Sequence, residues 1–563
     1  MTNASAKLAG LADRYWAFER WEYPLNALVA GQPTEDDVIF RESERDHARK
    51  DAAAAAFLAE LDTIGQEGLS GQEAASHALL RHELNLIRDL YRTGAHLRPS
   101  LFPVGPDFNT IFLANSTALN SRADADQWLA RLRTLPAFID DLIANFEAGR
   151  ARGYRYPRVV LGRAIEVVDG YLTSPPELSG WYGPFKRSAI AAKLEPVAQA
   201  AAELIEITLL PTFARYRDYL ADTLLPEARE TLSVYDDPEG EAFYAVLAAR
   251  FTTTAMRPEE IHALGLAEVD RLNGEMEATA RKHGFCDAAA LRAHVTASPA
   301  ATLADGDAVR RNIEVLAKRI DAKIPAYFGR IPRITYGIDS MSLAQSARMP
   351  PAYAQPAPAG GGQAGIFWVS AMPEKCPAYM HVPLTLHEAW PGHLMHIALI
   401  QEMDHLPAFR RFGAVKYTPC IEGWALYCET LGEDMGFYGA AADDFGRLDM
   451  EMWRAVRLVA DTGLHLKRWS RDETIAYMLD RLSLSRETVE AEVDRYVALP
   501  GQALGYQIGG LIVRGLRARM ESELGPEFSL RRFHDTVTGA GAVTLPVLEA
   551  LVTGSLMSSA RAA

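Results

Sequence analysis

The segment LTLHEAWPGHLMHIAL, residues 384–399, has the apolar spacing of a buried helix, yet it carries a Pro-Gly pair between two histidines. On an unbroken helix, six positions at about 100° each leave His387 and His393 roughly 120° apart, too divergent to share one ion. Pro391 has no N–H for the carbonyl of His387, four residues earlier, and its ring clashes there. Gly392 can adopt the backbone angles that a bulge needs. We therefore expect the helix to open at the Pro-Gly pair and the two imidazoles to converge; a helix end followed by a new helix is the alternative.

The sequence H-E-A-W-P-G-H is two residues longer than the zinc motif H-E-x-x-H. In the short motif, two histidines one helical turn apart bind zinc, and the glutamate acts as general base. Because an opening at the Pro-Gly pair would bring the histidines together, His387 and His393 are candidate metal ligands and Glu388 is the candidate base.

A third ligand is expected, because a catalytic zinc typically has three protein ligands and one open position. The apolar helical segment CIEGWALYCETL, residues 420–431, is interrupted by Glu422 and Glu429. Seven residues is close to two turns, so both carboxylates lie on one face. Buried carboxylates need a partner or a metal. Glu422 is the candidate ligand, and Glu429 is a candidate to orient a ligand histidine; a salt bridge or an exposed stripe is the alternative.

Two later segments place polar side chains in helical patterns. MWRAVRLVADTGLHLKRW spaces Arg457, Asp461 and His465 four residues apart. This stripe is either a structural network of i,i+4 pairs or a wall of the active site. In the second case Arg457 and Asp461 would contact substrate or support the ligands, and His465 would donate to a developing oxyanion. The segment RYVALPGQALGYQIGG contains Tyr506, which is either a core residue or a catalytic one.

Charge, cysteine content and apolar runs indicate which partners and which cellular location to expect. The 563-residue chain has a formal charge of −15, which argues against nucleic-acid binding, since that normally needs a basic face. Four cysteines without a C-x-x-C pair favour a reducing compartment. We find no basic start followed by an apolar run and no window of about 18 uninterrupted apolar residues, so neither a secretory signal nor a membrane span is expected. The expected location is the cytoplasm; the oligomeric state is left open.

The patterns change near residue 330. Before it, apolar residues at threes and fours predict amphipathic helices, for example over residues 70–91 and 124–149. After it, PRITYGID and GIFWVSAM predict short strands, and residues 348–363 between them, rich in Pro, Ala and Gly, predict a loop. We expect a mostly α-helical fold with two parts: a helical half, 1–330, covering the cleft, and a catalytic half, 331–563, with a small β-sheet followed by helices.

These motifs together resemble the bacterial "domain of unknown function 885" family. The matching stretches, in order, are HEAWPGH, EGWALYCE, RLVADTGLH and YVALPGQALGYQIGG. The helical amino-terminal half resembles the family only in its general pattern. The family is similar to the glutamate-type zincins, mostly helical metallopeptidases with two histidines and a downstream glutamate on zinc. The resemblance implies these roles: zinc ligands His387, His393 and Glu422, base Glu388, and transition-state donors His465 and Tyr506.

Two positions depart from the family pattern and bear on the pocket lining rather than on the metal. Here PGHLMH stands where family members commonly have PGHH followed by glutamine. Ser370 stands where the preceding strand often ends in asparagine.

The expected function is zinc-dependent hydrolysis of an amide bond, most simply of a short peptide, with one zinc per chain. Zinc would activate water and polarise the carbonyl, and Glu388 would move the proton. Edge pairing along GIFWVSAM would hold an extended substrate, and loop 348–363 would act as a lid. Two alternatives stay open: a non-haem iron oxygenase with the same two histidines and carboxylate, and a metal-binding protein that has lost catalysis. Glu388 favours hydrolysis, because an oxygenase needs no base beside its first ligand.

Overall fold

Helices dominate the chain in this computed structural model, which describes residues 2–32, 36–359 and 363–562. Several begin where the sequence predicts, with serine N-caps: Ser70 and Ser121 each form a capping box with an acidic residue three positions later. The α-helices before the sheet are α1 (Asn3–Glu22), α2 (Pro24–Val29), α3 (Glu44–Asp62), α4 (Gly71–Arg92), α5 (Pro106–Ser116), α6 (Arg122–Leu132), α7 (Leu135–Ala151), α8 (Arg158–Leu172), α9 (Gly183–Arg187), α10 (Ala191–Leu204), α11 (Leu210–Asp218), α12 (Gly240–Thr252), α13 (Pro258–Lys282), α14 (Ala288–Thr296), α15 (Gly306–Asp321) and α16 (Ile324–Tyr327).

The second half of the chain contains the sheet and the helices that carry the predicted site. The strands are β1 (Tyr336–Ser340), β2 (Ala352–Gln355) and β3 (Gly365–Val369). The helices are α17 (Leu343–Arg348), α18 (His381–Glu388), α19 (His393–Gln401), α20 (Ala408–Phe412), α21 (Thr418–Asp434), α22 (Ala441–His465), α23 (Arg471–Arg481), α24 (Arg486–Ala498), α25 (Gly505–Leu524), α26 (Leu530–Gly539) and α27 (Leu545–Ala562). The predicted fold class, mostly α-helical with a small sheet, is confirmed.

The amphipathic pattern over residues 124–149 forms two helices rather than one continuous run. α6 ends at Leu132 and α7 begins at Leu135, with Pro136 in its first turn. Proline has no N–H to donate inside a helix but fits the first turn, where that N–H would be unpaired. The apolar spacing continues across the break because Leu132, at the end of α6, and Leu135, at the start of α7, are both buried.

The long helical stretch Ala191–Glu227 is rich in apolar residues. Ala191–Glu227 combines α10 and α11 with π-helical turns at Ile205–Leu209 and Tyr219–Leu224, and by length and composition alone it is apolar enough to cross a membrane. One face, which includes Leu194, Phe213 and Leu220, is buried in the protein core. The opposite face exposes charged residues such as Glu206 and Asp222. This is the pattern of a helix that packs against a core on one side.

The three strands form one sheet in the order β1-β3-β2. β1 and β3 are the predicted strands and pair in parallel, with Ile338 opposite Phe367. β2 lies inside the segment predicted as a loop, and it pairs antiparallel with β3, with Ala354 opposite Phe367. Since β3 has a neighbour on each side, the prediction that GIFWVSAM offers a free edge to substrate is wrong. Among the described residues, no further strand pairs with the outer edges of β1 and β2.

The two large cores each draw on both halves of the chain. One contains Trp128 and Phe213 together with Val459. The other contains Tyr15 together with Trp424. Between them runs α22, in which every residue from 448 to 465 is buried. The predicted division at residue 330 stays a prediction, but the two parts do not have separate cores.

Helices α21 and α25 approach each other most closely at a pair of glycines. A Cβ added to Gly509 would lie 2.9 Å from the Cα of Gly423 and would overlap the carbonyl oxygen of Pro419. Only glycine leaves room for this contact between backbones. The crossing brings Glu422, next to Gly423, close to Tyr506 on α25.

Candidate metal centre

The segment forms two helices, which is the alternative stated for it, and the break between them lies at the Pro-Gly pair as predicted. α18 ends at Glu388, and α19 begins at His393. Ala389 and Gly392 leave helical geometry with ψ angles of −133° and −135°, and the peptide bond before Pro391 is cis. Gly392 packs directly against the carbonyl oxygen of His387, the group that Pro391 cannot bond.

The break brings His387 and His393 together on one carboxylate. Oε2 of Glu422 lies 3.5 Å from Nε2 of His387 and 3.4 Å from Nε2 of His393. The two imidazole rings are 4.6 Å apart between centroids and nearly perpendicular, at 85°. In a tetrahedral zinc site with bonds of about 2.0–2.2 Å, ligand atoms lie roughly 3.3–3.6 Å from one another. Both distances to Glu422 Oε2 therefore match the spacing between two ligand atoms of a zinc ion.

Burial and charge in this cluster also fit a cation. The contacts of Glu422 Oε2 with the two histidines are long, and this buried oxygen has no hydrogen-bond partner. Burial lowers the pKa of His387, but the carboxylates of Glu422 and Glu429 raise it more, to about 9. Burial raises the pKa of Glu422, but His393 and His387 lower it more, so that it lies well below its usual value. A buried anion between two imidazoles is a place where positive charge is stabilised.

Glu388 lies beside the ligands with its carboxylate uncommitted. Its oxygen and the ring nitrogens of His387 and His393 lie within 4.8 Å of one another. Across the part of the chain that the structure describes, no hydrogen bond or ion pair involves this side chain. A carboxylate that is next to the ligands and free of other partners can act on a molecule bound there.

Glu429 holds His387 from the opposite side of the ring. Its Oε1 lies 2.8 Å from Nδ1 of His387, whereas Glu422 contacts Nε2 of the same ring. Arg454 donates to Glu429 Oε1 at 3.1 Å, and the Tyr438 hydroxyl donates to the Glu429 carbonyl at 2.7 Å. The two-turn spacing of the glutamates on α21 thus sets the orientation of one imidazole. This is the arrangement by which carboxylates fix ligand histidines.

Replacement of this supporting carboxylate should weaken metal binding without abolishing it. In Glu429→Gln we expect zinc affinity to fall about 10- to 100-fold, because the amide orients His387 less firmly and makes it less basic. Competition with a chromophoric chelator measures the change. Glu433→Gln, one turn further along α21 and exposed, is the matched control and should keep wild-type affinity. Equal affinities in all three proteins would contradict the role given to Glu429.

Tyr506 and Arg457 lie at the same site. Tyr506 is half-buried, and its hydroxyl accepts a hydrogen bond from Gln502 at 3.4 Å. Burial and the nearby Glu422 carboxylate raise its pKa, which keeps the hydroxyl protonated and able to donate. The guanidinium of Arg457 lies over the Tyr506 ring, 4.5 Å from its centroid. Both predicted residues therefore join the cluster.

His465 does not act as predicted in this structure. Its Nδ1 accepts from the backbone N–H of Val234 at 3.2 Å, so Nε2 carries the proton and donates to the Tyr496 carbonyl at 3.0 Å. Burial lowers the pKa of its ring to about 4. With both nitrogens bonded to backbone groups, His465 has no N–H left for an oxyanion, which corrects its predicted catalytic role.

Asp461 supports the loop that leads into α25 rather than contacting substrate. It accepts from the backbone N–H of Gly501 at 3.0 Å and from the hydroxyl of Tyr244 at 2.6 Å. Gly501 has a positive φ of 80°, a conformation that favours glycine. Burial raises the pKa of Asp461 to about 7. Asp461 therefore positions the segment before Tyr506, and its predicted role in supporting the metal ligands stays a prediction.

The comparisons with known proteins agree with the motifs. The family model described as "Bacterial protein of unknown function (DUF885)" matches residues 24–552. The chain belongs to the DUF885 family. Among curated proteins none matches it.

Two solved structures share the DUF885 fold of this chain. The crystal structure of a "putative lipoprotein" from Colwellia psychrerythraea is similar over 99% of this chain and 100% of that one, with 25% identity and a TM-score of 0.91. A protein from Shewanella oneidensis, given the same description and an unknown function, is similar over 97% of this chain and 99% of that one, with 15% identity and a TM-score of 0.75. The cytoplasmic location expected for the present chain stays a prediction.

Two residues that support this DUF885 site were not singled out from the sequence. Trp424 donates its indole N–H to the carbonyl of Pro391 at 2.9 Å and so anchors the helix break. Its position two residues after Glu422 in EGWAL was the available signal. Arg454, which pairs with Glu429, lies on a different helix, and no local pattern connects the two.

Proposed function

We propose that this DUF885 protein is a zinc-dependent hydrolase of amide bonds, most simply a peptidase that acts on short peptides. One observation carries the proposal: Glu422 Oε2 lies at zinc-ligand spacing from Nε2 of both His387 and His393, and the uncommitted carboxylate of Glu388 lies beside them. Two histidines and a carboxylate are the ligands of several catalytic zinc sites, which keep one open position.

The chemistry divides between the metal and the side chains of this chain. When bound by His387, His393 and Glu422, zinc would polarise a substrate carbonyl and make a water molecule more acidic. Glu388 would accept the proton of that water as its oxygen bonds to the carbonyl carbon. The same carboxyl group would then give the proton to the leaving nitrogen as the C–N bond breaks.

Tyr506 would stabilise the charge that develops on the carbonyl oxygen. Tyr506 is close enough to Glu422 for that carboxylate to raise its pKa, and Arg457 and Gln502 hold the ring and the hydroxyl. A donor placed where negative charge develops contributes more in the transition state than in the ground state. With His465 committed to the backbone, we assign this donation to Tyr506 alone.

Restricted access to the cluster favours small substrates. The side chains of His387 and His393 are 5% and 11% exposed, and that of Glu422 is 19% exposed. A folded protein would not reach these atoms, whereas an extended peptide would. The predicted lid includes residues 360–362, which lie outside the described residues. β2, at an outer edge of the sheet and packed near α18, is the strand we propose for contacts with an extended substrate.

A peptide-cleavage assay with controlled metal content tests the proposal. Purified protein should cleave a pool of short synthetic peptides, lose this activity when a chelator removes the metal, and recover it with one equivalent of zinc. Activity that is recovered only with ferrous iron and oxygen, giving oxidised rather than hydrolysed products, would favour the oxygenase. A zinc-loaded protein that hydrolyses no peptide in the pool would overturn the proposal.

A further inference from the structure

Arg457 is a buried cation that its neighbours only partly satisfy. Its Nε donates to the Tyr496 hydroxyl at 3.3 Å, and its Nη2 donates to Glu492 at 3.0 Å. Within the described parts of the chain, Nη1 has no hydrogen-bond partner, and it is not among the polar atoms that are sealed from solvent. One N–H-bearing end of this guanidinium is therefore open to solvent.

Of the two positive charges that contact Glu492, only one is balanced by its carboxylate. Glu492 is shared between two guanidinium groups, because Arg495 also binds it, at 3.0 Å through Nε and 2.9 Å through Nη2. The remaining nitrogen of Arg495, Nη1, donates to Gln502. All the nitrogens of Arg495 are thus used, so the spare donor belongs to Arg457.

A second donor beside Arg457 also lacks an acceptor. The guanidinium lies 4.6 Å from the centroid of the Trp453 ring, on the same helix. The indole Nε1 of Trp453 is buried, and within the described residues it has no hydrogen-bond partner. Because this indole nitrogen is sealed from solvent, a ligand from solution would bind through Nη1 of Arg457. A carboxylate, with acceptor oxygens and a negative charge, matches the open donor and the spare positive charge of Arg457.

The position of these donors relates the acceptor to the reactive centre. Arg457 lies on the face of the Tyr506 ring, and Tyr506 in turn lies close to the ligand Glu422. We propose that Arg457 binds a carboxylate of the substrate, so that the protein prefers short peptides whose free α-carboxylate lies close to the bond that is hydrolysed. This inference rests on the proposed function and adds the substrate class to it.

Cleavage of matched peptide pools tests this preference. One pool of short peptides without Asp or Glu carries free carboxyl termini, a second carries carboxamides, and a third carries carboxamides with one Asp or Glu. In wild type we expect kcat/KM for the free-acid pool to exceed that for the amide pool at least about tenfold, as a lost charge-assisted hydrogen bond implies. Restored cleavage of the third pool alone would assign the carboxylate to a side chain, and equal rates for all three pools would overturn the proposal.

Variants separate recognition from structure. In Arg457→Gln the ratio of acid to amide rates should fall to near one, mainly through a higher KM for the acid pool. Arg486→Gln removes the same charge from an exposed position of α24, where Arg486 pairs only with Glu490 among the described residues, and it should keep the wild-type ratio within about threefold. Equal slowing of both pools in Arg457→Gln would show a merely structural role and overturn the inference.

Binding keeps the inference testable independently of hydrolysis. In equilibrium dialysis, zinc-loaded Glu388→Gln protein should retain the free-acid pool at least about tenfold more strongly than the amide pool. If no pool is cleaved but this difference is found, the proposed function fails and the carboxylate site stands. If peptides are cleaved but the two pools are retained equally, the proposed function stands and the carboxylate site fails.

Discussion

Glu388→Gln should abolish peptide hydrolysis while leaving the metal in place. We expect kcat to fall about 10²- to 10⁴-fold, the usual contribution of a positioned general base. Glutamine keeps the shape of the side chain but cannot accept the proton of water at neutral pH. Because the proposed ligands are His387, His393 and Glu422, zinc content should stay near one per chain, which metal analysis of the same sample measures.

The control for Glu388→Gln is a glutamate outside the cluster. Glu374→Gln, an exposed glutamate a short way before α18, should leave both hydrolysis and zinc content unchanged. Loss of zinc in Glu388→Gln would instead identify Glu388 as a ligand, since its carboxylate lies within 4.8 Å of both histidine nitrogens. Activity within about threefold of wild type would rule out the role of base.

Gly392→Ala should disrupt the site through its backbone. A Cβ at this position would overlap the carbonyl oxygens of His387 and Leu386, which are backbone atoms that cannot rotate away. To relieve the overlap, α18 and α19 must separate, and the imidazoles of His387 and His393 must move with them. We expect the free energy of unfolding to fall by roughly 1–3 kcal/mol, as for other overpacked sites, and zinc affinity to fall at least about tenfold.

The control for this variant is a glycine in open space. Gly274, on α13, has no atom within 4 Å of an added Cβ, and Gly274→Ala should be neutral or more stable by about 0.5–1 kcal/mol. Denaturant unfolding and a zinc titration of the three proteins measure both effects. A Gly392→Ala protein as stable as wild type, with zinc bound as tightly, would show that the close contact at the break does not hold the ligands in place.

The helix break between His387 and His393 was predictable because its determinants are local. Pro391 and Gly392 follow His387 directly, so the chemistry of two residues was enough to predict the break. The seven-residue spacing of Glu422 and Glu429 likewise determines that both face one side of α21. That they contact opposite nitrogens of His387 could be seen only in the structure, because it depends on how α18 packs against α21.

The failures lie where distant parts of the chain meet. His465 was predicted as a donor from its helical spacing, but its nitrogens bond to Val234 and Tyr496, and Val234 is more than two hundred residues earlier in the chain. β2 was read as loop because its four residues stand among Pro, Ala and Gly; pairing with β3 decides its conformation. The break before α7, in contrast, has a local cause, because Pro136 favours the first turn of a helix.

Metal analysis of the protein, purified without added metal, tests the central claim most directly. We predict about one zinc per wild-type chain and less than a tenth of that in the His387→Ala, His393→Ala double variant, because one remaining carboxylate holds zinc weakly. His405→Ala, at an exposed position outside the cluster, should keep the wild-type content. Unchanged zinc in the double variant would contradict the assignment of this cluster as the metal centre.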